Sequence, residues 1–139
     1  MRHRTAAAAA VLVAAFLGAC TAQTRTEVSS SASVTVNGTD AKVNIVKCTQ
    51  VQWYRTIHIG GDSAGATIAL DGRGAQALVD SVRIQNLGGF TGMYSQGGEG
   101  DANTSLSGEK FTITGTANGY QVDKPNEPTT ATFKIIVAC

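Results

Sequence analysis

The chain has 139 residues and carries 11 Lys and Arg against 10 Asp and Glu. Once a leader and a linker are set aside, that length fits one domain of about 100 residues with a modest core. The basic residues are nowhere clustered, which argues against nucleic acid as a partner, because that role gathers Lys and Arg on one face.

The first segment reads MRHRTAAAAAVLVAAFLGAC. Arg2 and Arg4 precede an apolar stretch from Thr5 to Phe16, much of it alanine. This is the layout of a secretory signal peptide. It falls short of the about 20 apolar residues that a membrane span needs. Leu17, Gly18, Ala19 and Cys20 then resemble a bacterial lipobox. The resemblance implies that the Cys20 sulfur takes a diacylglycerol in thioether linkage and that residues 1–19 are cut away. Small residues let a protease approach the backbone, and a thiol is a good nucleophile as thiolate. Two or three acyl chains satisfy the requirement for stable anchoring, since one is marginal. An ordinary signal peptide with a cysteine nearby by chance is the simpler alternative. Removal of residues 1–19, Arg2 and Arg4 among them, leaves 120 residues with nine basic and ten acidic side chains.

Residues 20–33 form the next unit, the anchoring cysteine followed by TAQTRTEVSSSAS. Rich in Ser and Thr and poor in large apolar residues, this stretch reads as a flexible tether. Its hydroxyls are also O-glycosylation candidates. The domain proper is expected over residues 34–139.

There the texture becomes that of strands. Val34 and Val36 alternate with polar residues and end at Asn37-Gly38, a turn pair in which both residues tolerate positive φ. Val43 and Ile45 follow on one face, which predicts a hairpin. Val51, Trp53, Ile57 and Ile59 share a parity that Arg55 interrupts; Tyr54, Thr56 and His58 hold the other. Gly60-Gly61-Asp62 closes that strand, and ATIAL leads to a stop at Asp71-Gly72. A helical turn could form around Ala75 to Leu78, and in the next strand Leu78, Val82 and Ile84 are compatible with a buried face while Asp80 and Arg83 favour water. The glycine-dense residues 88–108 read as a long loop or a bulged strand. Phe111, Ile113, Gly115 and Ala117 then alternate with threonines up to Asn118-Gly119, which predicts another hairpin. Both prolines fall in KPNEPTT, and TATFKIIVAC ends the chain with Phe133, Ile135 and Val137 inward. Helical periodicity is almost absent beyond the leader. The fold class is therefore all-β: a small antiparallel β-sandwich or partly open barrel behind a flexible tether.

Cys48 and Cys139 are an even pair in an exported chain, so a disulfide is expected. The alternative is two free thiols or a metal pair, against which stand the lack of CxxC spacing and of a nearby His cluster.

The lipobox, VNGTDAKVNIVKCT, IHIGGDSAGATIAL, YSQGGEGDANTSLSGEKFTITGTANG and TFKIIVAC together resemble the family of the mycobacterial 19 kDa lipoprotein antigen, LpqH. The resemblance runs from Cys20 to Cys139 and is most specific in FTITGTANG and in the placement of Cys48 and Cys139. It implies a non-catalytic lipoprotein anchored in the cell membrane by its acyl chains and exposed on the extracytoplasmic or cell-wall surface. It also implies an antigen or adhesin whose acylated amino terminus is recognised with Toll-like receptor 2.

Other candidate sites are thin. His58, the one histidine after the leader, is a general acid–base candidate by residue type but reads as a partly exposed strand residue. No GxSxG frames a nucleophilic serine. Glu99, Asp101 and Asn103 offer alternate oxygens without completing an EF-hand, and GGDSAG lacks the lysine of a phosphate-binding loop. No metal or cofactor is expected. Trp53, Phe90, Met93 and Tyr94 are the candidates to line a pocket for a lipid or other apolar ligand; the alternative is that they fill the core.

Overall fold

The computed structural model describes residues 25–29 and 31–139, the first five as backbone pairing only. The amino-terminal leader and Cys20 lie outside the described residues. Within them the chain is all strand and turn: β1 (Arg25–Ser29), β2 (Ala32–Val36), β3 (Thr39–Val43), β4 (Val46–Val51), β5 (Tyr54–Gly60), β6 (Gly65–Asp71), β7 (Leu78–Leu87), β8 (Phe90–Ser95), β9 (Ala102–Ser107), β10 (Lys110–Gln121) and β11 (Pro128–Ala138). The strands pair antiparallel in the order β1-β4-β5-β6-β7-β8-β10-β11-β2-β3, and the sheet curls into a nearly closed barrel. The twelve-residue β10 serves two neighbours along one edge, with Lys110–Gly115 against β9 and Asn118–Gln121 against β8.

A corner closes the barrel. β3 pairs with β2 and β4 pairs with β1 and β5, yet only Asn44 and Ile45 separate β3 from β4. Three residue steps cover about 10–11 Å at most, so the two ends of the sheet order must lie side by side. A strand that bends from one sheet edge to another is the usual way to make such a corner. The bend turns Ile45 out to solvent, 65% exposed, instead of inward beside Val43. Strand pairing also extends into the stretch read as tether: Arg25–Ser29 pairs with β4, and Ala32 and Ser33 belong to β2.

The inner faces make one core. Val34, Val36, Val46, Ile57, Ile59, Ile68, Val82, Ile84, Phe90, Ile113 and Ile135 are sealed from solvent. Burial of each contributes roughly 1.5–3 kcal/mol. Phe133, Ile135 and Val137 of β11 face inward as their alternation predicts. Asn37 and Gly38 take positive φ, 47° and 79°, and make the β2–β3 turn the sequence announces.

Three expectations are corrected. Asn118-Gly119 is no turn: β10 runs straight through it, because a Cβ at Gly119 would stand 2.0 Å from the Thr91 carbonyl oxygen. This glycine serves close backbone approach between β8 and β10, the second use of glycine in strands. No helical turn forms at Ala75–Leu78. Leu78 is exposed and Val79 buried, because Asp80 is an extra residue in β7 that shifts the register between Ala69/Ser81 and Leu70/Val79. One inserted residue reverses the facing of everything before it. Residues 88–108 resolve into β8 and β9 with a turn between them.

Cys48 and Cys139 form the expected disulfide, with Cα atoms 5.9 Å apart across 91 residues of sequence. It fastens β4 to the end of β11.

Replacing Cys48 by Ser should lower unfolding stability by about 4–5 kcal/mol on the chain-entropy account, measurable by denaturant titration. Gly119→Ala should cost about 1–3 kcal/mol through overpacking and shift the Gly92 and Thr91 amide resonances. A hairpin-type glycine at 119 would leave the Gly92 and Thr91 amides unmoved.

Candidate functional site

The four residues proposed to line a ligand pocket do not share one. Phe90 and Tyr94 point into the core, whereas Met93 lies on the outer face of the same strand and Trp53 sits in the β4–β5 turn, 46% exposed. Gln52, with φ 55°, makes that turn and carries Val51 and Trp53 out of the inward row.

The row continues inward at Arg55, which shares its face with Ile57 and Ile59. The Arg55 guanidinium sits 5.1 Å from the centre of the Phe111 ring on β10 and donates to Gln50 Oε1 at 2.6 Å. Such a cation over an aromatic face is attracted by the ring quadrupole. Beside Phe111 on β9, register places Leu106 opposite Phe111 and Thr104 opposite Ile113, so both belong to the inner face. β9 bonds only to β10, and its other edge looks across a gap at the β6–β7 loop. Between them lies a cavity of about 370 Å³ lined by Ala75, Gln76, Ala77, Thr104, Leu106 and Phe111, with Ser105 at its side. The Thr104 hydroxyl oxygen has no hydrogen-bond partner and is closed to solvent, so it does not open onto this cavity.

The same end of the barrel carries most of the exposed large apolar side chains: Val51, Trp53, Tyr54, Leu78 and Leu106. An ion pair stiffens it. Arg73 Nε donates to both Asp71 carboxylate oxygens at 3.0 Å, the Arg73 amide donates to Oδ1 at 3.0 Å, and the guanidinium lies 5.9 Å from the Trp53 ring centre. The Arg73 side-chain hydrogen bonds, then its amide, hold the Asp71 carboxyl below its ordinary value of 3.8, and the pairing raises Arg73. Gly72 N–H donates to the Trp53 carbonyl at 2.9 Å, which links the two loops.

His58 lies on the outer face, its Nδ1 3.3 Å from the Thr67 hydroxyl. Cross-strand register sets Lys47, His58, Thr67 and Arg83 in one row over β4, β5, β6 and β7. An open groove of about 530 Å³ follows that row to the turn at Asp62. No carboxylate–histidine–hydroxyl constellation forms there. Asp101 accepts from Thr116 Oγ1 at 3.4 Å and Glu99 from Asn118 Nδ2 at 3.5 Å. Among the described residues no group of three His, Cys, Asp or Glu side chains is placed to hold a metal ion, and the two cysteines are bonded to each other.

The interior arginine, the buried hydroxyl and the cavity were not singled out by the sequence reading. Arg55 at an inward parity position was the available signal, as was the alternation of Ala102, Thr104 and Leu106.

A nearly closed, disulfide-fastened antiparallel barrel, open at one end, describes a class of small β-domains. Within that class the chain belongs to the Mycobacterium 19 kDa lipoprotein antigen family, which it matches over residues 25–139. It is 60% identical over 139 residues, spanning all of both chains, to a protein described as a lipoprotein from Mycobacterium indicus pranii. It is 30% identical over 135 residues to the Mycobacterium tuberculosis chain described as lipoprotein LppE, covering 97% of this chain and 96% of that one. With lipoprotein LpqH of Mycobacterium tuberculosis H37Rv the identity is 35% over 113 residues, 79% of this chain and 70% of LpqH.

Because the Asp71 pKa is lowered on folding, its pairing contributes stability that is fully present above about pH 3.8 and is lost as the pH falls through the native value. Asp71→Asn should therefore reduce stability at neutral pH and flatten the acid limb below pH 3.8. Fluorescence of Trp53, the one tryptophan, reports both changes.

Proposed function

We propose that this chain is a non-catalytic, acyl-anchored lipoprotein of the extracytoplasmic cell envelope. In this reading Cys20 is the lipidated residue, and the barrel serves as a surface antigen or adhesin. The observation that carries it is the lipobox-like Leu17–Cys20 standing five residues ahead of the family match over residues 25–139. Membership in a lipoprotein antigen family supports an envelope-associated, membrane-anchored protein. Host recognition, with Toll-like receptor 2, belongs to the acylated terminus rather than to the barrel. Two observations support the non-catalytic reading: His58 faces solvent with Thr67 as its side-chain partner, and Cys48 and Cys139 are bonded to each other. Acid–base or nucleophilic catalysis needs a base within hydrogen-bond distance of an activated group.

A second reading, binding of a lipid or other apolar ligand, is favoured by the cavity at the open end of the barrel, though not by the four residues first considered for it.

Cys20→Ala in the native host should move the protein from the membrane fraction to the medium. It should also abolish a Toll-like receptor 2-dependent reporter response while leaving the barrel folded. Membrane retention of that variant at the level of the parent rules out the Cys20 anchor.

A further inference from the structure

We propose that the exposed apolar rim of the open end, formed by Val51, Trp53, Tyr54 and Leu78, rests on the surface of the phospholipid bilayer that anchors the chain and fixes the orientation of the barrel there. The proposal rests on the reading of Cys20 as the anchored residue.

Cross-strand register builds the rim. Val51 pairs with Tyr54, Tyr54 with Asp71 and Asp71 with Leu78, so the last ladder row of β4, β5, β6 and β7 carries three large apolar side chains. They stand on the outer face, since Tyr54 has the parity opposite to Ile57 and Ile59. Trp53 sits beside them in the turn that Gln52 makes. The four side chains are 40 to 54% exposed. A contiguous exposed apolar group on a small domain marks a surface that something else covers. Its chemistry favours the boundary between lipid and water. Trp and Tyr concentrate there because each has an apolar body and a polar tip. Asp71, the one charge in the row, is buried and paired with Arg73, whose exposed guanidinium lies 5.9 Å from the Trp53 ring centre. An arginine so placed keeps its head among water and headgroups while its stem covers apolar surface.

The distance to the anchor selects the occupant. Arg25 pairs with Gln50, one residue before Val51, and β1 runs antiparallel to β4, so the described chain begins beside the rim row. Cys20 is five residues earlier, a reach of about 17–18 Å at most. Across so short a link the contact is intramolecular, with an effective concentration on the order of millimolar. A rim too weak to hold a free domain on a bilayer is thereby kept in place. A second copy of the chain has no comparable advantage. The acyl chains hold the protein at the membrane, and the rim decides which way the barrel points.

The test uses the mature chain from Cys20 to Cys139, tethered to phosphatidylcholine vesicles by reaction of the Cys20 thiol with a maleimide lipid. Cys48 and Cys139 are bonded to each other, which leaves Cys20 as the reactive thiol. The result then does not depend on acylation in the host, which the release of the Cys20→Ala variant reads separately. On tethering, the emission of Trp53, the one tryptophan, should move to shorter wavelength, and lipids brominated near the headgroup should quench it. Its quenching by acrylamide should fall about twofold or more, as for an indole at the lipid–water boundary. Val51→Gln combined with Leu78→Gln removes apolar area at exposed positions and places no charge beside the Asp71–Arg73 pair. That variant should keep the native amide spectrum and return Trp53 to the signals of the untethered chain. Val122→Gln, at an exposed position at the other end of the barrel, where its amide donates to the Gly89 carbonyl, should behave as the parent does. Trp53 signals that do not change on tethering would overturn the proposal, as would their survival in the double Gln variant. Equal protection of Trp53 in the untethered chain at the same concentration would assign the rim to a second copy and overturn it too.

Discussion

The bond between Cys48 and Cys139 holds the barrel in register with itself. Hydrogen bonds join each strand only to its neighbours, and β4 and β11 stand far apart in that series. The disulfide brings them to 5.9 Å. It does so at a defined height: Cys48 pairs across the sheet with Ile57, and the Cys139 amide donates to the Glu109 carbonyl just before β10. Arg55 lies two residues from Ile57 and Phe111 two from Glu109. The cross-link therefore fixes the spacing across which the Arg55 guanidinium meets the Phe111 ring. For a domain whose core is built largely of Val and Ile, loop closure on this scale is comparable to burying two of those side chains. The covalent corner at Asn44–Ile45 acts with it, so both ends of the sheet order are confined.

The two ends of the barrel obey different rules. At one, tight turns at Asn37-Gly38, Gly60-Gly61 and Gly88-Gly89 close the strands with glycines at positive φ and few apolar groups. At the other, the Gly72–Trp53 hydrogen bond joins the β4–β5 turn to the β6–β7 loop, but β9 pairs only with β10. Inward positions there are given to Arg55, Thr104 and Leu106 instead of to sealed aliphatic residues. A barrel interior normally excludes an arginine unless its charge is answered; here the Phe111 ring and Gln50 supply part of that answer. The Asp71–Arg73–Trp53 cluster braces the loop that forms one wall of the opening. The chain thus has a scaffold stabilised by its sealed end and its cross-link, with an open end that tolerates polar groups facing in.

Much of this was legible in the residues. Alternating Val34/Val36 and Phe133/Ile135/Val137 gave inner faces, because period two is a local property of any strand. The cysteine pair was readable from its even count in an exported chain. What failed depended on partners distant in sequence. Asn118-Gly119 looks like a turn to anyone reading ten residues, but Gly119 is small because Thr91 presses against it. Leu78 seemed buried because nothing local marks Asp80 as an inserted residue; the register with β6 does. Trp53, Phe90, Met93 and Tyr94 were grouped by size, and the strand pleat then sent Phe90 and Met93 to opposite faces. Arg55 was visible as an irregularity in an apolar row, and only the facing of Ile57 and Ile59 shows that the irregularity points into the barrel.

If Cys20 is the anchor, as proposed, the register of β1 bears on how the molecule would stand. Arg25 lies opposite Gln50, whose other neighbour is Arg55, so the described chain begins at the open end. Cys20 is five residues earlier, and five residues of polypeptide stretch about 17–18 Å at most. An anchor at Cys20 would therefore dock the barrel mouth-down, with Trp53, Tyr54 and Leu78 nearest the lipid headgroups. The glycine turns would form the crown, and an antibody or a host surface arriving from outside would meet those first.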